Sequence, residues 1–518
     1  MLKSCSARSG ASLLAAALTV FTVPGTMAQT VAIDPATTYQ VIRGFGGHNG
    51  AGWIADLTPA QVDTAFGTGP GQIGLTIMRM RIDPSRTAWP TQLPTARLAK
   101  AKGVTLFATP WTPPPNMKTS NSIAHGSLLP AYYPDYAAHL LAFADYMRSN
   151  GAQLYGISVQ NEPDWDPSYE GCQWTSAQFI DFLTSQGPRF GGIKLMAPES
   201  LGFRKVLSDP ILNDAGAAAQ LSIVAGHLYG ATPSDYPLAR AKGKEQWMTE
   251  HYTDSTSDAN DWTKAMPVAI ELHKSMAANY SAYVWWYIRR AYGLMTEDGN
   301  VSKRGWIMSQ YAKYVRPGYV RIAATEHPDA DVSVTAFKGG DGRIVVVAVN
   351  AGTSQRRVDL TFGAGAPRTF QRTATSAGMN EAYAGDYPVI AGSASAYLEP
   401  ASVSTFVSQP TLADVTGSVR IAQSGLAVNR FTGQFSGTVS ITNTSGATVG
   451  ASTLRLVLDG LTSGVTLANK QGDDNGAPWI ALPVNEIAPG ATVSVTTTFG
   501  NPSKGSIAYT PTLQAITF

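Results

Sequence analysis

Charge is scarce in this chain. Of 518 residues only 14% are Asp, Glu, Lys or Arg, and 38 basic against 36 acidic side chains leave a formal charge of +2. No field of one sign covers the molecule, so the electrostatic basis for binding nucleic acid or an anionic membrane is missing. Cysteine is scarcer still, with Cys5 and Cys172 alone. Cys5 falls in the leader segment described below. A single remaining thiol forms neither an internal disulfide nor a structural zinc site, and nothing local to Cys172 would activate it as a nucleophile, so a packing role is expected. Apolar runs of about 18 residues or more, the length that spans a bilayer, are also missing. So are H-E-x-x-H, G-x-x-x-x-G-K-[ST] and G-x-S-x-G. The segment GFGGHNGAG misses the dinucleotide fingerprint because Asn49 stands where the third glycine belongs.

What is present is a globular composition, 44% hydrophobic with 50 glycines and 32 prolines spread along the chain. Lys3 and Arg8 precede an apolar run, Ala11 to Val23, and small residues close the stretch at Thr26-Met27-Ala28. That order predicts a secretory signal peptide over 1–28, cleaved after Ala28, and hence a secreted protein, extracellular or periplasmic, with no membrane anchor once cleaved.

From residue 41 to 288 short buried-type runs alternate with longer segments. The runs are VIRGFGG from Val41, TIMRMRI from Thr76, TLFATPW from Thr105, YGISVQN from Tyr155, KLMAPES from Lys194, SIVAGHLY from Ser222, EQWMTEH from Glu245 and AYVWWYI from Ala282. Tyr136–Arg148 and Ser176–Thr184 between them have helical spacing. Eight such strands alternating with helices over about 250 residues predict an α/β fold, a (β/α)8 TIM barrel over 41–315. A doubly wound sheet is the structural alternative. Beyond residue 315 the runs VSVTAFK, RIVVVAVN, RVDLTF and SVSTFV alternate with turns and predict a side β-sandwich over 316–408. Val31–Tyr39 is strand-like, and the segment 29–40 is expected to join that sandwich. After Ser408-Gln409-Pro410, the runs VSITNTSG, LRLVLDGL and TVSVTTTFG predict a C-terminal immunoglobulin-like β-sandwich over 411–518.

In a barrel the C-terminal strand ends line the active site. Glu162 follows the fourth run and Glu250 closes the seventh. Two carboxylates at one mouth suit glycoside hydrolysis, one protonating the leaving oxygen while the other attacks or activates water. Trp165, Trp247 and Tyr252 surround them in sequence, and ten of the eleven tryptophans lie between Trp53 and Trp306. Flat rings stack on the C–H faces of sugars, and Trp53, Trp111, Trp165 and Trp286 are placed to do so. Trp285 should point the other way, into the packing between barrel and helices. His48, His227 and His251 fall at strand ends, but a three-histidine metal site is disfavoured, and no metal is expected.

The strings IRGFGG, GWIADLTPAQVDTAFG, SVQNEPDW, WMTEHYTDS, VWWYIRRAYG and GNVSKRGW give the stretch from Val31 to Val407 a resemblance to glycoside hydrolase family 30, in particular to subfamily 8, the bacterial glucuronoxylanases. The resemblance implies a barrel with a side β-sandwich, a retaining mechanism, no cofactor, and endo-cleavage of β-1,4-xylan directed by a glucuronic acid branch. Carried over by position, it assigns Glu162 as acid/base, Glu250 as nucleophile and Asn161 as a donor to the sugar 2-hydroxyl. Trp53, Arg81, Trp111 and Tyr229 would line the cleavage point. Tyr252, Ser255, Trp286, Arg290 and Tyr292 would bind the branch. The family's usual Ser and Pro are Ala291 and Leu294 here, and Asn116 stands where a smaller residue is common; Ala291 removes one hydroxyl near the branch pocket. The expected partner is glucuronoxylan, with no nucleic acid, and the expected state a monomer. Other family 30 specificities (β-glucosidase or β-1,6-glucanase) and a non-catalytic polysaccharide-binding protein are the alternatives. The terminal unit lies outside the resemblance. Its aromatics Phe431, Phe435, Trp479, Phe499, Tyr509 and Phe518 are largely needed for a core, so a spacer or attachment role is expected, with carbohydrate binding second.

Overall fold

A computed structural model describes residues 29–518 with the exception of residue 254. The leader segment 1–28 lies outside the described residues. Eight parallel strands close into a barrel: Gly44–His48, Ile77–Ile82, Thr105–Pro110, Gly156–Ser158, Lys194–Ser200, Leu221–His227, Glu245–Glu250 and Ala282–Tyr287. The first begins three residues later than the run from Val41, because Val41 ends a long strand of the neighbouring sheet, Gln29–Val41. The two helical segments extend to Tyr133–Ser149 and Ser176–Gln186. Thr175 starts the second with a capping box, in which its hydroxyl accepts from Gln178 N while the Gln178 side chain accepts from Thr175 N.

Alternation sorts each strand into two faces. Ile77, Phe107, Ile223, Ala225, Trp247, Ala282 and Val284 fill the barrel interior, while Met78, Leu106, Val224, Met248 and Tyr283 face the helices. The inward set of the second strand then continues as Ile77, Arg79, Arg81, so its apolar lower layer gives way to charge at the mouth. Three register shifts sit at that same end. Pairing skips Glu199 between the fifth and sixth strands, Thr249 between the sixth and seventh, and Trp286 between the eighth and first. Such extra residues re-aim side chains at barrel rims, and here they bring Glu250 and Trp286 to the opening.

The second unit is one nine-stranded sheet, in which Gln29–Val41 lies between Val320–Ala324, antiparallel, and Arg356–Phe362, parallel. Its own core includes Val31, Ile322, Val334, Val346, Leu360 and Phe406. The sheet is bound to the last barrel helix, Lys303–Ala312, and the residues after it. Thr405 donates to Gln310 O at 2.7 Å, and the buried ion pair of Lys313 and Glu381, at 2.6 Å, is joined by the Tyr314 hydroxyl, also at 2.6 Å. The terminal unit packs Thr411–Asp414, Thr510–Thr517, Thr453–Asp459, Ala477–Ala481 and Gly472–Asp474 against a second sheet built on Phe435–Asn443 and Thr492–Gly500. It buries a separate core that includes Val439, Leu456, Phe499 and Leu513. It meets the middle unit where Arg343 stacks on Phe518, 4.8 Å from the ring centre. Phe499 is buried and Phe435 and Tyr509 pack against it, whereas Phe431 is fully exposed.

Cys172 is buried, and burial pushes its thiol up to about 12. It is an inert packing residue. Among the described residues no helix is long and apolar enough to cross a membrane.

Candidate active site

The barrel mouth opens into a cleft of about 630 Å³ with Glu162, Tyr229 and Glu250 among its lining. Glu162 lies on the turn after the fourth strand with φ +42°, and Glu199 beside it has φ +55°. A side chain in the left-handed region is strained, and such strain gathers at functional sites. The Glu162 backbone N–H donates to Glu199 O at 3.0 Å, which ties the turn to the end of the fifth strand.

Arg79 organises the floor. Fully buried, its guanidinium pairs with Glu250 Oε2, donates to Asn161 Oδ1 at 2.7 Å, to Glu199 Oε2 at 3.2 Å and to Thr109 Oγ1 at 3.2 Å, and lies over Trp111. Glu250 Oε1 accepts from the Tyr229 hydroxyl at 2.9 Å. His227 is wedged between the carboxylates, with Nδ1 2.9 Å from Glu162 Oε1 and Nε2 3.9 Å from Glu250 Oε2. One oxygen from each glutamate and one His227 nitrogen lie within 4.8 Å of one another, a grouping that has the donor types for a metal ion.

These contacts separate the two acids. The Arg79 guanidinium pairs with Glu199 and Glu250 and leaves Glu162 to His227, so three carboxylates around one guanidinium favour holding a proton. Burial raises Glu162 to about 7, and the negative charges of Asp164 and Glu199 add to the rise against Arg79. Burial also raises Glu250, but His227 and Arg79 pull it back, and Arg79 and Tyr229 both donate to it. A carboxylate with two donors keeps its charge more readily than one facing a single imidazole. Burial lowers His227, against the opposing charges of Glu250 and Glu199. The arrangement therefore offers a protonated carboxyl and an ionised one across a single opening.

Aromatic rings form the walls. His48, Trp53, Trp111, Trp286 and Tyr287 make one cluster, with His48 stacked on Trp286 at 4.8 Å and Trp53 edge-on to Trp111 at 4.7 Å. Burial holds His48 well below its usual range. Trp165 and Tyr169, both about half exposed, come from the loop after Glu162. Trp285 is fully buried in the packing outside the barrel.

Of the residues read from the sequence, Trp53, Trp111, Glu162, Tyr229, Glu250, Tyr252 and Trp286 line the cleft, and Asn161 lies beneath it. Tyr252 meets Tyr229 edge-on at 5.4 Å and packs at a tilt against Tyr292 at 5.1 Å. Arg290 stands next to them over Tyr287, half exposed, with Glu297 at 3.3 Å. Arg81 pairs with Asp83 and with Glu170 of the cleft wall, and lies over Trp53 of the same wall, 4.8 Å from its ring centre. One residue sits elsewhere. Ser255 lines a separate depression with His251 and Lys264, and its carbonyl accepts from Arg304. His227, read as a strand-end histidine, does face the mouth, and the structure adds Arg79 and Glu199 to the site. Arg79 has the same parity as Arg81 on one strand, and a charge at an inward position was the signal that could have found it.

Comparison with known proteins places this geometry. Residues 85–262 match the glycosyl hydrolase family 30 TIM-barrel domain, and residues 318–406 match the family 30 beta sandwich domain. The chain is 41% identical over 391 residues to glucuronoxylanase XynC of Bacillus subtilis (strain 168), covering 73% of this chain and 92% of that protein. The family 30 subfamily 8 xylanase Xyn30A of Clostridium acetobutylicum superposes with a TM-score of 0.70 at 39% identity, over 74% of this chain and 100% of that one. A GH30 endoxylanase from Clostridium papyrosolvens C71 gives 0.68 at 35% identity, over 73% and 100%.

Proposed function

The chain belongs to glycoside hydrolase family 30 and is a glycosidase acting on xylan, and on that footing we propose that it is a secreted, retaining endo-β-1,4-xylanase whose cut is directed by the (methyl)glucuronic acid branches of its substrate. The observation that carries the retaining mechanism is the closeness of the carboxylates. Oxygens of Glu162 and Glu250 lie within 4.8 Å of one another, whereas inversion leaves about 6.5–9.5 Å for an intervening water and retention uses about 5–5.5 Å.

In the first step Glu250 attacks the anomeric carbon while Glu162 gives its proton to the departing glycosidic oxygen. An ester to Glu250 forms and the leaving chain departs as an alcohol. In the second, Glu162, now ionised, takes a proton from water, the water oxygen attacks the same carbon, and Glu250 leaves as a carboxylate. Arg79 and Tyr229 hold the two oxygens of Glu250 in line. Arg79 also occupies Asn161 Oδ1, which leaves the amide nitrogen to donate to the sugar 2-hydroxyl.

Branch direction rests on Arg290, Tyr252 and Tyr292. The Arg290 guanidinium is half exposed beside the cleft, and its partner Glu297 is a surface carboxylate at 3.3 Å. A branch carboxylate would exchange for that weak surface pair. Losing a hydrogen-bonded charge pair costs about 2–5 kcal/mol, and exposure argues for the low end. At about 1.4 kcal/mol per tenfold, Arg290→Ala should lose roughly 30-fold in kcat/KM on glucuronoxylan. On unbranched xylo-oligosaccharides it should lose little, and wild-type products from glucuronoxylan should each carry one branch at a fixed distance from the reducing end. Equal losses on both substrates, or products with randomly placed branches, would refute branch direction. Faster hydrolysis of β-1,6-glucan than of xylan would refute the substrate. Secretion is supported by the signal-type pattern of the first 28 residues.

A further inference from the structure

Far from the cleft, the barrel and the middle sheet meet at three potential metal ligands. His273 lies on the helix Trp262–Ala277, and Glu326 and His327 lie on the turn between the strands Val320–Ala324 and Val332–Lys338. Glu326 Oε1 stands 3.4 Å from His273 Nε2 and 3.2 Å from His327 Nε2, and the ligand atoms of all three lie within 4.8 Å of one another. The two imidazole rings meet edge-on at 5.6 Å. We propose that these residues form a transition-metal site, with zinc(II) as the fitting ion, that pins the barrel to the side sandwich.

Three observations support it. His273 is fully buried, its Nδ1 has no hydrogen-bond partner, and its Nε2 reaches only Glu326 Oε1, at 3.4 Å. A buried polar group left so is costly, and a bound cation would satisfy Nε2. The separations also suit coordination better than hydrogen bonding. Ligands about 2.0–2.1 Å from a tetrahedral zinc stand roughly 3.3–3.4 Å apart, close to the two measured values and longer than an ordinary charge-assisted hydrogen bond. Finally, His327 Nδ1 lies 3.2 Å from Ser333 Oγ, and when the ring donates this bond its Nε2 lone pair is free to ligate. Two imidazoles with one carboxylate match zinc and its first-row neighbours rather than calcium or magnesium, which take oxygen. Glu326 and His327 are about half exposed, which gives an ion entry from solvent and room for a water as fourth ligand.

The test is zinc titration of the untagged full chain by competition with a chromophoric chelator, run beside thermal unfolding. Because Glu162, His227 and Glu250 also lie within ligand distance of one another, the titration is repeated in Glu162→Gln. One zinc should bind in wild type and in Glu162→Gln, raising the unfolding temperature of both. Removing an outer-shell partner already weakens metal binding about 10–100-fold, so His327→Ala and Glu326→Gln, both surface changes, should each weaken this zinc by at least about 100-fold. They should abolish the thermal shift and leave xylan hydrolysis in the absence of zinc unchanged. Affinity within threefold of wild type in both variants, or zinc binding lost only in Glu162→Gln, would overturn the proposal.

Discussion

Replacing Tyr229 by Phe removes one hydroxyl and little else. The ring still packs against His251 at 5.1 Å and Tyr252 at 5.4 Å, but Glu250 Oε1 loses its donor at 2.9 Å. A hydrogen bond to a charged group is worth about 1.5–3 kcal/mol. It favours the ionised carboxylate, so without it Glu250 holds its proton to higher pH. Glu250 must be ionised to attack, and the acid limb of kcat/KM should therefore move upward. Below that limb the variant should be slower by about 10- to 150-fold, the same free energy at 1.36 kcal/mol per tenfold. Near the optimum the loss should shrink, because Glu250 is ionised in both proteins. The alkaline limb should stay in place, since it follows deprotonation of Glu162, which burial holds near about 7. The assay is kcat/KM on soluble xylan across roughly pH 4–9. A loss of equal size at every pH, or movement of the alkaline limb alone, would refute the view that Tyr229 supports the charge on Glu250.

Two further outcomes follow from the packing between units. The terminal unit has its own core and touches the middle sheet through Arg343 and Phe518, so a chain ending at Gln409 should unfold at nearly the wild-type temperature and hydrolyse soluble xylan at an unchanged rate. Glu381→Ala strands the nearly buried Lys313 at the barrel–sandwich contact. Breaking a buried pair from one side costs about 3–5 kcal/mol, and urea unfolding should show a loss of that order.

The barrel was legible because its parallel strands are buried on both faces and read as apolar runs. All eight appear in the structure, with the first shifted to Gly44–His48 where Val41 is taken up by the neighbouring sheet. The sandwich was half legible. Val332–Lys338 and Ile344–Asn350 carry β-branched runs, whereas Ala382–Pro388 and Ser393–Leu398 lack them and are not among the strands named from the sequence. In the site, Glu162 and Glu250 stood out by their position at strand ends. Arg79 did not, although it lies inside the run TIMRMRI, because only the closed barrel shows that it meets Glu199 and Glu250. Arg81, two residues on along the same strand, meets Glu170 and Trp53 of the cleft wall. Glu199 was hidden for a related reason: it is the unpaired residue of a register shift, and sequence alternation gives no direction for it.

The most direct measurement is the anomeric configuration of the first product. Proton NMR of a xylan or xylo-oligosaccharide digest, followed from the first seconds, distinguishes the two geometries before mutarotation mixes them. With Glu162 and Glu250 as close as the structure has them, the β-anomer of the new reducing end should appear first and the α-anomer only later. An α-anomer formed first would mean that a water attacks directly, and the assignment of Glu250 as nucleophile would fall. No reducing end released at all would contradict hydrolysis itself.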